Sequence, residues 1–340
     1  ARQHGQWGHV WGMRPPFLTL SERARLGLPT VLILIIFPLT GFYIEGLLVG
    51  LGTYPVLFGA IPDREHRARV MAAVGVGLIL AMSVGILVTG NLWWTLGAFL
   101  VAAVAGVALD QALPLGPPGP YFFLLMVGGG TVVGQAGWTV MQSAGWLILG
   151  AVIAFLVAVA GRDKGPGPPP GRPVDWLMFW RVSIGAVVVY AALDLTGDPH
   201  PFWGLLATVL VLCFLGDGLV LGVRAFHRVF GTVLGFLGYW LWTLIHPPQE
   251  VDFIAMGVLL WIVMAITSRN YGYGVFFITM LALLMTQALA PDAPPFDLAA
   301  GRVITTTAGA GIAVILVALL RPSSPRPDEP RRRGFGAIWW

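Results

Sequence analysis

The sequence predicts an all-α, polytopic integral membrane protein of about twelve transmembrane helices, arranged as two parallel six-helix repeats. Three observations carry this. Of 340 residues, 57% are hydrophobic and only 11% are Asp, Glu, Lys or Arg, whereas a soluble domain draws on roughly 25% charged residues to clothe its core. Apolar stretches long enough to cross about 30 Å of hydrocarbon as helices recur along the chain. The Lys and Arg between them fall on alternate loops, the pattern that retention of basic loops in the cytoplasm produces.

Prolines, glycines and charge clusters bound the stretches. In the first half they lie near 26–42, 46–61, 70–88, 92–109, 121–140 and 143–160. In the second they lie near 177–195, 202–215, 229–245, 253–267, 271–290 and 299–320. Several are closer to about 15 residues than to 20, short enough for tilted, broken or paired half-helices. The expected organisation is a cytoplasmic N-terminal segment over 1–25, a first membrane repeat over 26–160, a Gly/Pro-rich cytoplasmic linker over 161–175, a second repeat over 176–320 and a basic cytoplasmic tail over 321–340. The linker begins GRDKGPGPPPGRP, a composition that neither forms a helix nor joins a core. The first 25 residues hold Arg2, Arg14, Arg23 and Arg25 but no apolar region closed by a small-residue cleavage site, so the first apolar run reads as a membrane segment rather than a signal peptide. The sequence does not begin with Met, and Met13 is an internal alternative start.

A recurring series reads as an internal duplication, with chance among the frequent Gly and Leu as the alternative. Thr40-Gly41, Gly46-Leu47-Leu48 and Arg69-Val70 are followed in the second half by Thr196-Gly197, Gly204-Leu205-Leu206 and Arg228-Val229 at nearly equal gaps. With the N-terminus inside, the cytoplasmic segments receive Arg64, Arg67 and Arg69, then Arg162, Lys164 and Arg172, then Arg224 and Arg228, then Arg269, then Arg321 to Arg333. The opposite loops hold Glu45, Asp194, Asp198, Glu250, Asp252, Asp292 and Asp297 and no Lys or Arg. Both termini are therefore expected in the cytoplasm, and an even number of spans per half makes the repeats parallel.

Arg302 departs from this pattern, because it falls about a turn inside the outer end of the last span. Arg302, Thr305, Thr306 and Gly309 share one helix face by their i, i+3, i+4, i+7 spacing, offering a guanidinium, hydroxyls and a small residue to an anionic group. The alternative is an outer-surface ion pair of Arg302 with Asp297 or Asp292. The same spacing recurs in Arg228, Gly231, Thr232 and Gly235, where topology alone accounts for a basic residue beside Arg224 and His227, and the glycines suit helix packing. Glu45 and Asp198, on the outer side, are the proton-coupling candidates, with solvated loop residues as the alternative. Tyr271, Tyr273, Phe276 and Phe277 lead to Thr279, a patch suited either to an aromatic acid or to packing. Cys213, the only cysteine, reads as a small core hydrophobe and excludes cysteine-based metal clusters.

No enzyme is expected. Neither a GxxxxGK[ST] loop nor an HExxH motif is present, and the six histidines are scattered. Cofactors, metals and nucleic acid are likewise not expected. The expected partners are a small organic anion and the bilayer, with a homo-oligomer or accessory subunit left open.

Trp203 and the apolar run to Leu215, then Arg228, Gly231, Thr232 and Gly235, then Phe277 and Thr279, then Arg302, Thr305, Thr306 and Gly309 together resemble the fusaric acid resistance-like family, which includes the bacterial aromatic acid exporters. The resemblance spans roughly 201–322 and is weaker in the first half. It implies export of aromatic or other organic carboxylates across the inner membrane, driven by the proton gradient. Relatives carry a large soluble domain, for which this chain has only the linker and a short tail. The family's last span resembles RxxDTxxG, and Thr305 here stands in the place of the acid. A more distant likeness to dimeric plant anion channels leaves a passive organic-anion channel open, and a non-transporting membrane partner subunit is the third reading.

Overall fold

The computed structural model describes residues 20–59, 61–115, 119, 121–161, 176–195, 197, 200–212, 218–267 and 270–319. Among these residues the chain is helical throughout, without a strand. The helices are α1 (Leu20–Leu39), α2 (Tyr43–Gly52), a 3-10 helix (Tyr54–Phe58), α3 (Arg64–Leu87), α4 (Leu92–Ala112), α5 (Tyr121–Gln135), α6 (Val140–Val159), α7 (Trp176–Asp194), α8 (Phe202–Leu212), α9 (Gly218–Thr243), α10 (Gln249–Ile266), α11 (Tyr271–Leu289) and α12 (Pro295–Leu319). Six of them, α3, α4, α6, α10, α11 and α12, are long and apolar enough to cross a membrane. Shorter apolar helices stand at α1, at α2 with its 3-10 turn, at α5 and at α8. The expected N-terminal segment up to 19, the linker over 162–175, the tail from 320, Asp198 and Cys213 lie outside the described residues.

One apolar stretch is divided, which corrects the single span expected over 46–61. Helix α2 stops at Gly52, and Pro55, which has no N–H to donate, sits in the 3-10 turn that follows. Thr53 holds the break, donating its hydroxyl to the Gly50 carbonyl at 2.7 Å and meeting the Thr30 hydroxyl at 2.7 Å.

Side-chain caps start several helices where the sequence offers them. Asp63 accepts from the His66 N–H at the head of α3, Asn91 from the Trp94 N–H at α4, and Asn270 from the Tyr273 N–H at α11. Thr139 and Gln142 form a reciprocal capping box at α6.

Packing follows the glycines. A Cβ on Gly85 of α3 would stand 2.2 Å from the Val127 carbonyl oxygen of α5, and one on Gly150 of α6 would stand 2.1 Å from that of Val49 in α2. Backbones approach this closely only where side chains are absent. The same crossings occur in the second half: Gly231 and Gly235 of α9 lie against α11, and Gly309 of α12 lies against Gly204 of α8.

Within the first half α3 packs on α5 and α6, and α2 packs on α6. Within the second, α9 packs on α11 and α12, and α8 packs on α12. Between the halves α4 packs on α7, α10 on α1, and α5 on α8. A single hydrophobic core runs through all of these.

The outward faces are apolar: Trp93, Trp94, Leu156 and Ile304 are exposed, while Arg67, Arg228, Arg302, Thr279 and Thr306 are buried. That distribution inverts a soluble protein and suits lipid. Arg67 is fixed in the first half, donating to the carbonyls of Ile61 and Pro62 and, at 2.7 Å, to that of Gly161. Arg69, which the repeated series matches to Arg228, instead lies exposed and pairs with Glu65 one turn earlier.

Candidate functional site

Helix α8 is the pivot of the second half. All eleven of its residues are buried, because it is enclosed by α5, α7, α9 and α12. Its N-terminal end carries Phe202 and Trp203, which follow His200 and Pro201. The His200 ring stacks on Trp203 at 4.9 Å and 15°. Phe202 lies over Gly128 of α5, where a Cβ would come within 2.3 Å of the ring. The head of α8 is thereby keyed into the first half.

Arg302 projects to this point from α12. Its Cζ stands 4.9 Å from the Trp203 ring centroid, a cation–π arrangement. The side chain is 3% exposed, and Nε has no hydrogen-bond partner. Asp292 and Asp297, the ion-pair partners that an outer-surface role would require, are both exposed, and among the described residues Arg302 makes no salt bridge. The surface ion pair is therefore replaced by a buried guanidinium against an indole.

Arg228 stands on α9, which packs directly on α12. It is 1% exposed, so it is covered by neighbouring helices. Its Nε and Nη1 have no hydrogen-bond partner. The groups that face it are the hydroxyls of Tyr271, first residue of α11, and Tyr121, first residue of α5. Tyr121 also reaches Arg302 electrostatically, and the charges of Arg228 and Arg302 act on each other. Among the described residues no carboxylate is one of the groups acting on either guanidinium.

The threonines divide into two kinds. Thr232 donates to the Arg228 carbonyl at 2.7 Å, and Thr305 donates to that of Gly301 at 2.8 Å, each satisfied by its own helix. Thr306 and Thr279 are fully buried, and their hydroxyls have no partner. Thr306 is one turn along α12 from Arg302. Thr279 packs against Gly235, two turns along α9 from Arg228. Buried hydroxyls are ordinarily hydrogen-bonded, and these two lack a partner among the described residues.

Phe276 is used in packing, its ring against Gly238 of α9 and edge-on to Phe277 at 4.7 Å. Glu45 is half-buried in the first turn of α2 and is not among the groups acting on the two arginines.

The pairing of Tyr121 with Tyr271 and the stacking of His200 on Trp203 do not follow from sequence reasoning. One signal for the first was present, since each tyrosine opens the fifth stretch of its half. Burial, then the positive charge of Arg302, push His200 in the loop ahead of α8 down to about 4. It is therefore neutral at pH 7, and the positive charge at the head of α8 is that of Arg302.

Residues 184–316, which take in α8 to α11 whole and most of α7 and α12, match the family described as fusaric acid resistance protein-like. Comparison with curated proteins and with solved structures finds no match.

Proposed function

We propose that this chain, whose residues 184–316 belong to the fusaric acid resistance protein-like family, is a secondary transporter that exports aromatic or other organic carboxylates across the bacterial inner membrane. The family is one of membrane transporters, and the apolar helices make the protein a multi-pass membrane protein. In the proposed arrangement all twelve helices belong to the membrane domain as two six-helix repeats, with both termini cytoplasmic. The matched helix pairings in the two halves support that layout.

The observation that carries the reading is the pair Arg228 and Arg302. Arginine stays protonated in any protein environment, and a buried charge is paired or held against a ligand. Here two buried guanidinium groups carry nitrogens without partners, and among the described residues no carboxylate acts on them. An organic carboxylate supplies the missing charge and hydrogen-bond acceptors. Trp203 offers an aromatic surface beside Arg302, and Thr306 and Thr279 offer free hydroxyls. Thr232, Thr305 and Phe276 shape the helix crossings around this site.

The test is flux of labelled benzoate and its relatives in proteoliposomes, with and without an imposed proton gradient. Gradient-driven accumulation that falls at least tenfold in both Arg302→Gln and Arg228→Gln, with normal insertion of each, is the expected result. Unchanged flux in both variants overturns the assignment.

A passive anion channel is favoured by one observation: Thr305, which stands where the resembled family's pattern RxxDTxxG implies an acid, spends its hydroxyl on its own helix. A proton carrier at that position is therefore lacking. Glu45 is left as the coupling candidate, with Asp198 beside it in the sequence-based expectation. Downhill flux indifferent to the gradient, and to Glu45→Gln, selects the channel.

A further inference from the structure

Arg228 and Arg302 come from different helices, α9 and α12, that pack on one another. Each is at least 97% buried. Each has a guanidinium nitrogen with no partner among the described residues. Tyr121 acts electrostatically on both, and the two cations act on each other, so the crossing of α9 with α12 brings them into one neighbourhood with a tyrosine from the first half.

The charge balance of that region is unusual. Trp203 and the tyrosine hydroxyls solvate the cations with a π face and with neutral dipoles, and neither neutralises them. Placed in the low dielectric of a helix bundle, two like charges repel far more strongly than in water. In the first half Arg67 gives its Nη atoms to the carbonyls of Ile61, Pro62 and Gly161. The second half leaves its two buried cations without a counter-charge among the described residues.

We infer that the occupant of this site carries two negative charges: one dicarboxylate, with a carboxylate on Arg302 beside Trp203 and the other on Arg228 beside Tyr121 and Tyr271. A monocarboxylate neutralises one guanidinium and leaves the other buried and unpaired, which is the arrangement that strongly destabilises buried ion pairs. This inference rests on the anion-transport reading and narrows its substrate class.

The experiment uses benzoate and terephthalate, the second differing by one added carboxylate across the ring, at pH 8 where both are fully ionised. Flux into proteoliposomes and thermal stabilisation of the purified protein are measured for each. Wild type is expected to favour terephthalate at least tenfold in half-saturating concentration. Arg228→Gln and Arg302→Gln are each expected to erase or reverse the preference, while Arg228→Lys and Arg302→Lys, which keep the charge, retain it.

A structural role for either arginine would lower both fluxes by one factor and leave the preference unchanged, and that result overturns the inference. So does a wild type that favours benzoate, or one that binds two benzoates per chain as tightly as one terephthalate. Preferential stabilisation by terephthalate without flux of either anion sustains the dianion site and overturns transport. Flux of benzoate alone sustains transport and overturns the dianion site.

Discussion

The Arg302 guanidinium lies over the Trp203 indole, 4.9 Å from Cζ to ring centroid, where α12 crosses the buried head of α8. The indole both covers the cation and fixes its direction. Trp203→Phe keeps a weaker π face, and Trp203→Leu keeps only apolar volume. A desolvated cation–π contact is worth about 2 kcal/mol, so transport is expected to fall in the order wild type, Phe, Leu, with the leucine variant at least tenfold down. Equal flux in the Phe and Leu variants would show that the face of the ring plays no part.

Thr306 separates a ligand-directed hydroxyl from a structural one. Because its Oγ1 is buried without a partner, Thr306→Val removes an unsatisfied polar group, and thermal stability is expected to stay level or rise. Flux is expected to drop several-fold. Thr305→Val, whose hydroxyl bonds the Gly301 carbonyl, is the control and leaves flux near wild type. A Thr306→Val protein with unimpaired flux would remove the hydroxyl from the site.

His200 makes stability depend on pH in a definite direction. Its folded pKa is pushed down to about 4 by burial and by Arg302, below the unfolded value of about 6.5. Between those values the unfolded chain binds more protons, so stability rises with pH through this window and is lost as pH falls from neutrality towards 4. Melting temperature followed from pH 7 to 4.5 is expected to decline in wild type and to decline less in His200→Asn. Parallel curves for the two proteins would contradict this.

Gly309 and Gly311 lie two residues apart on α12 and should respond oppositely to alanine. A Cβ on Gly309 would stand 2.1 Å from the Gly204 carbonyl oxygen and 2.9 Å from the Thr208 hydroxyl, whereas one on Gly311 meets nothing within 4 Å. Thr208 also donates to the Gly309 carbonyl at 2.7 Å, so separating the helices breaks a buried bond. Gly309→Ala is expected to destabilise by about 3 kcal/mol or more through overpacking, and Gly311→Ala to be neutral, as read by thermal melting in detergent.

Arg67 and Arg69 make a similar contrast at the head of α3. Arg67→Ala orphans three backbone carbonyls and is expected to destabilise by about 3 kcal/mol. Arg69→Ala removes one exposed pair with Glu65, worth about 1 kcal/mol at most. Unfolding in a denaturing detergent series compares the two, and comparable losses would mean that Arg67 does not clamp Gly161.

The sequence by itself determined that this chain is a membrane protein built of helices, because hydropathy and proline act over a few residues, whereas several helices start earlier than their apolar stretches, α9 at Gly218 rather than 229. It also marked Arg302 as out of place, since a charge inside an apolar run is a local fact. Tertiary structure decided the rest. The sequence presents Arg67, Arg69 and Arg228 alike, as basic residues at a helix entrance. Only packing makes Arg69 a solvated surface charge, Arg67 a clamp on backbone carbonyls and Arg228 a buried cation without a counter-charge. Likewise Thr305 and Thr306 are buried neighbours on one chain, and the structure shows one hydroxyl spent on its own helix and the other without a partner. Burial and electrostatic pairing depend on what other helices bring to a point, and Tyr121, 107 residues before Arg228 in the chain, comes to it through the fold alone.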